Sequence, residues 1–70
     1  MTRMTILMQI VRIRVDMGSV FDTLYLQSAG AMIKMEHSVR KEQTSQYKML
    51  DMVEVTMLAP TVISITPAFN

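Results

Sequence analysis

The 70-residue chain has no cysteine and no tryptophan, a single histidine, two glycines and two prolines. Each shortage excludes something. Without cysteine there is no disulfide and no thiolate metal site. A lone histidine leaves no imidazole pair for zinc, which needs several His or carboxylate ligands when thiolates are missing. Charge is also scarce, at 19% of residues with a formal net of +1, so no strong global field draws the chain to nucleic acid or anionic lipid. A long apolar run is missing too. The stretch from Ile6 is broken by Gln9, Arg12 and Arg14, short of the roughly 20 residues a membrane span requires. Arg3 followed by Thr5–Val11 has the charge-then-apolar order of a leader but no small-residue cleavage site, and a strand accounts for the same residues. The expectation is a cytoplasmic or virion-associated protein with no signal peptide or transmembrane segment.

Chemistry-bearing motifs are absent as well. There is no Gly-rich phosphate loop, no Gly-x-Ser-x-Gly elbow and no His pair at metal-binding spacing. So short a chain also leaves little room for a small-molecule pocket of several hundred Å³. The sequence therefore predicts no enzyme, no cofactor, no metal, no membrane contact and no small-molecule substrate.

What is present is apolar and β-favouring. Half of the residues are hydrophobic, which argues against disorder, and nine are methionine. The size predicts one domain over residues 1–70. A domain this small buries only about 60% of its unfolded surface and commonly needs a staple. With disulfides and metals removed, association is the staple left.

Alternation predicts five strands. From Val11, the residues Val11, Ile13, Val15 and Met17 fall on one side of Thr5–Met17, with Arg12, Arg14 and Asp16 on the other. Gly18-Ser19 then signals a two-residue hairpin turn, with positive φ at Gly18. That turn pairs Met17 with Val20, Val15 with Asp22, Ile13 with Leu24 and Val11 with Leu26. It sets Arg14 against Thr23 and Arg12 against Tyr25 on the other face, so the two apolar faces coincide. A turn at Ala29-Gly30 pairs Leu26 with Ile33, Leu24 with Met35, Asp22 with His37 and Val20 with Val39. After the polar run Arg40–Gln46, a return at Gln43–Ser45 pairs Val39 with Met49, His37 with Asp51, Met35 with Val53 and Ile33 with Val55. It also puts Lys34 opposite Glu54. A last turn at Ala59-Pro60-Thr61 brings Met57 to Ile63 and Val55 to Ile65, with Pro60 where no ladder donor is needed.

The fold expected is all-β: a five-stranded antiparallel meander curled into a small SH3-like or OB-like barrel, because closure removes exposed edges. The first strand is long enough to bend and pair at both ends. Its interior comprises Val11, Ile13, Val15, Leu24, Leu26, Ile33, Met35, Val53, Val55, Ile63 and Ile65. The SH3-like form fits slightly better, since the connection after the third strand holds only about one or two helical turns. The competing architecture is α+β, a β-α-β-β domain with a helix over about 20–43. It rests on the Ser19–Asp22 capping box and on Phe21, Leu24, Tyr25, Ser28, Met32 and Met35 at helical spacing.

Three candidate sites follow from the meander register. Asp22, His37 and Asp51 form a row on the apolar face, where two carboxylates would raise the imidazole pKa and make a pH-sensitive cluster. The plainer reading is a solvated charge cluster at the sheet's end. The outer face carries Arg12, Arg14, Tyr25 and Lys34, a basic and aromatic set able to stack single-stranded nucleic acid. The plainer reading is an amphipathic surface on which Glu36 and Glu54 balance the cations. Third, Phe21, Met32, Leu50 and Met52 are large apolar residues on the same outer face, a mark of a protein contact. A cover of loop or of the tail Pro67–Asn70 would account for them equally.

The sequence thus predicts a non-enzymatic structural or interaction module that self-associates as a homo-oligomer or docks on a larger protein assembly. A small phage accessory or virion component is one such protein. The alternative is a small nucleic-acid-binding β-barrel using the outer basic and aromatic face.

Overall fold

The computed structural model describes residues 3–58 and 61–68. The turn expected at Ala59-Pro60 and the side chain of Ile63 lie outside the described residues. The elements are β1 (Arg3–Arg14), β2 (Phe21–Ser28), β3 (Lys34–Arg40), a one-turn helix α1 (Lys41–Thr44), β4 (Met52–Leu58) and β5 (Thr61–Pro67). The small all-β form is the one adopted; residues 20–43 are mainly two strands, so the β-α-β-β alternative falls. The β-branched and aromatic content of Val20–Leu26 outweighs the helical spacing of its neighbours.

All strand pairs are antiparallel, in the order β3-β2-β1-β4-β5, and the sheet curls into an open half-barrel. The sequential meander is corrected at one junction, because β4 pairs with β1 and not with β3. Three hairpin-connected strands with a fourth returning beside the first make a Greek key. With β5 added, the order is that of the OB-like barrel, open here between β3 and β5. The connection that was too short for a full helix still holds one turn, Lys41–Thr44.

The physical reason lies in β1. Its N-terminal half pairs with β4 from Arg3↔Leu58 to Gln9↔Met52, and its C-terminal half pairs with β2 from Met8↔Ser28 to Arg14↔Thr23. A β4 paired to β3 would have left that N-terminal half without a ladder. Pairing it with β1 buries Met8, Val53 and Val55 completely. Each such side chain contributes about 1.5–3 kcal/mol through burial.

The β1–β2 register matches the expected one at Arg12↔Tyr25, Ile13↔Leu24 and Arg14↔Thr23. A bulge at Val11 then makes Ile10, and not Val11, the partner of Leu26. An extra residue bends its strand, which suits a strand shared by two hairpins. The expected pairs Met17–Val20 and Val15–Asp22 fall outside the ladder. There, Asp16 caps the loop by accepting from the Gly18 and Ser19 amides. The positive-φ glycine is Gly30, at φ 71°, and not Gly18.

At the second hairpin the loop is longer than expected. A 3-10 turn at Ala29–Ala31 and the Ile33 amide bonded to Ser28 Oγ shift the β2–β3 register by two residues. The faces survive, but the rows change: Leu26 meets Met35, Leu24 meets His37 and Asp22 meets Val39. In the last hairpin Val55↔Ile65 is as expected, whereas Met57 meets Val62 and not Ile63. The core is Met8, Ile10, Leu24, Leu26, Val39, Val53 and Val55, closed by Tyr47 from the β3–β4 connection. Val15 is 57% exposed and Ile33 is also outside the core, against expectation.

Candidate functional site

The outer face of β1, β2 and β3 gathers the residues that the sequence assigned to nucleic acid. Tyr25 points outward from the middle of β2, between Arg12 on β1 and Glu36 on β3. The Arg12 guanidinium carbon lies 5.3 Å from the centre of the Tyr25 ring, and that of Arg14 lies 5.8 Å from it. Alternation explains the placement: Arg12 is the direct cross-strand partner and Arg14 the diagonal one. Such contacts contribute about 0.5–1 kcal/mol each at exposed sites. Lys34 is the partner of Gln27 one row further along, and it lines an open groove of about 240 Å³ with Val11, Tyr25 and Glu36.

Two further residues join this set, neither of which the sequence assigns to nucleic acid. Phe21, expected at a protein contact, begins β2 on the same side as Tyr25 and pairs with Arg40. The Arg40 guanidinium carbon lies 5.8 Å from the Phe21 ring centre. The sequence places Arg40 at the start of the polar run, whereas it is the last residue of β3. Its signal was its position one residue past Val39, which keeps it in phase with Lys34, Glu36 and Ser38 along β3. The face therefore holds two aromatic rings four residues apart, each with an arginine upon it. Arg12, Arg14 and Lys34 make no ion pair with a described residue, while Arg40 stands 4.0 Å from exposed Glu42. Glu54 is on β4 opposite Leu7, across β1 from this strip, and does not balance Lys34 as expected.

The Asp22–His37–Asp51 row does not form, because the two-residue shift and the β1–β4 pairing separate its members. Asp22 is buried, and its Oδ1 accepts from Lys41 Nζ at 2.6 Å while its Oδ2 accepts from Thr44 Oγ1 at 2.8 Å. Lys41 and Thr44 hold its carboxyl below the usual range. His37 faces Leu24, and burial pushes its pKa down rather than up. Asp51 is exposed and accepts from the Lys48 amide within its own turn. Asp22 is thus the anchor of the β3–α1 corner. No three of His, Asp and Glu come together among the described residues as a metal would require.

The expected contact patch also disperses. Leu50 is 63% exposed, and its amide donates to Ile10 O. Since Ile10 faces Leu26, Leu50 stands about five residues, or roughly 17 Å, along the sheet from Phe21. Met32 is 85% exposed in the β2–β3 loop. Met52 lines a second hollow, of about 320 Å³, with Leu7, Gln9 and Gln27. No helix among the described residues is long and apolar enough to cross a membrane. Comparison with known protein families, curated proteins and solved structures finds no match.

Proposed function

We propose that this protein binds single-stranded nucleic acid on the outer face of β1–β3. The observation that carries the reading is Tyr25 with both Arg12 and Arg14 on its ring, in a groove shared with Lys34. Guanidinium planes and aromatic rings stack unpaired bases, and cations track the phosphates. The strip from Phe21 to Gln27 is about 20 Å long. The second and third strands of an OB-like barrel present such a surface. This role needs no bond-making chemistry, cofactor or metal.

The test is fluorescence anisotropy with short labelled single strands at varied salt. Four cations predict a plot of log K against log salt with a slope of about −3, from roughly −0.7 per phosphate contact. Loss of binding on Arg12→Ala and Tyr25→Ala with a folded protein supports the reading. No binding to any oligonucleotide at low salt overturns it.

A second reading, self-association, has its own observation. The edge strand β5 carries no charge from Thr61 to Thr66, whereas the other edge, β3, carries Lys34, Glu36 and Arg40. Charges blunt an edge, and an uncharged one invites a second copy. A phage accessory or virion component would use such an edge in assembly. Light scattering during size-exclusion chromatography tests it: a monomer at high micromolar concentration removes this reading, and Ser64→Lys should dissociate a dimer.

A further inference from the structure

We infer that the hollow beside Gln27 takes one unstacked nucleobase and reads its edge, so that the strip has a base preference. The inference rests on the nucleic-acid reading above and adds to it a specificity site. Gln9 on β1 and Gln27 on β2 are direct cross-strand partners, and Lys34 continues the same row on β3. Gln27 lines both hollows of the outer face, the groove of Tyr25 and Lys34 and the larger one bounded by Leu7 and Met52. A strand stacked at Tyr25 therefore runs directly into the second hollow.

The chemistry of that hollow differs from the first. The Gln9 Nε2 donates to Leu50 O at 3.2 Å, which turns the amide and leaves its Oε1 as an acceptor. Gln27 makes no side-chain hydrogen bond to a described residue, so its amide offers a donor and an acceptor side by side. Leu7 and Met52 supply apolar walls. The space, about 320 Å³, is roughly ten times one water molecule's share of the liquid and has room for a flat heterocycle. An amide on an apolar floor suits the hydrogen-bonding edge of a base. It does not suit a phosphate, for which the row's cation, Lys34, lies on the other side of Gln27.

The experiment compares oligo-dA, oligo-dC and oligo-dT of about 10 nucleotides with the wild-type protein and with Gln27→Leu, at two salt concentrations. The expected result is a preference of about 5-fold or more for one base in the wild type. In Gln27→Leu that preference should shrink to within about 2-fold with the salt slope unchanged. Gln27→Met serves the same comparison if the leucine variant does not fold. Equal binding of all three strands by the wild type, or an undiminished preference in the variant, overturns this inference and leaves the nucleic-acid reading standing. No binding of any strand overturns both.

Discussion

Lys41 Nζ and Asp22 Oδ1 stand 2.6 Å apart, with the carboxylate buried and the lysine about one-third exposed. This pair ties α1 back onto the start of β2. Thr44 Oγ1 and, more weakly, the Asp16 amide complete the shell of the carboxylate. Removing one partner of a buried pair is worse than removing both, since the survivor is left unmatched. Lys41→Met is therefore expected to lower the Tm more than the double variant Lys41→Met/Asp22→Leu does. Thermal melts of the two proteins check it.

The same carboxylate predicts an acid-sensitive limb of stability. Its folded pKa is lowered from the ordinary 3.8 by Lys41 and Thr44. A depressed acid contributes its full stabilisation above the unfolded value and loses it as pH falls from 3.8 through the folded value. Denaturant melts from pH 5 to 2 should show this limb, and Asp22→Asn should flatten it.

His37 adds a separate limb at milder pH. Burial against Leu24 lowers its pKa from 6.5. The unfolded chain then binds the proton first, so stability is full above 6.5 and declines as pH falls from there toward the folded value. His37→Gln should remove the decline between pH 7 and 5 and leave the lower Asp22 limb intact. Urea midpoints across that range measure both.

Much of this architecture is legible in alternation, and the rest depends on counts that alternation cannot see. Inner and outer faces hold for Leu24, Leu26, Arg12, Arg14, Tyr25, Val53 and Val55, because side chains at period two survive any even shift of register. What fails is the row. The β2–β3 loop takes two more residues than the Ala29-Gly30 turn implied, and that carries His37 past Asp22 to Leu24. The bulge at Val11 likewise sends Ile10 inward in its place, with no glycine or proline to announce it. The β4 partner is ambiguous in sequence for a physical reason: β1 and β3 both offer an alternating apolar face, and pairing with β1 gives its N-terminal half a ladder while burying Met8, Val53 and Val55. Arg12, Arg14 and Tyr25 were found because their pairing lies close to the first turn, where a counting error has least room to grow. Phe21 and Arg40 were missed as a pair because they meet at the far end of the shifted hairpin.

The core makes a magnitude prediction. Leu24 is fully buried at the centre of β2, with Ile13 on one side and His37 on the other. Leu24→Ala should destabilise by about 2–5 kcal/mol through lost burial and a residual cavity. Val15→Ala, at an exposed position that alternation alone assigns to the interior, should change stability by less than about 0.5 kcal/mol. Comparable losses in the two variants would contradict the half-barrel core.

Leu50 offers a test in the opposite direction, since replacing it should stabilise the fold. Its φ is 71°, in the left-handed region where a Cβ crowds the carbonyl and a residue other than glycine is strained by about 1–2 kcal/mol. The conformation is imposed from both ends. The Leu50 amide donates to Ile10 O at 2.7 Å, and the adjacent Asp51 carbonyl accepts from the Ile10 amide at 2.9 Å, which locks the turn onto β1 just before β4 begins. Because the side chain is mostly exposed, little burial is lost with it. Leu50→Gly should raise stability by about 0.5–1 kcal/mol, the relief of strain exceeding the added freedom of the unfolded chain. Gly30→Ala reverses the logic at φ 71° in the β2–β3 loop and should lower stability by a similar amount. A Leu50→Gly protein that melts below the wild type would instead make the leucine side chain a stabilising contact of the fold.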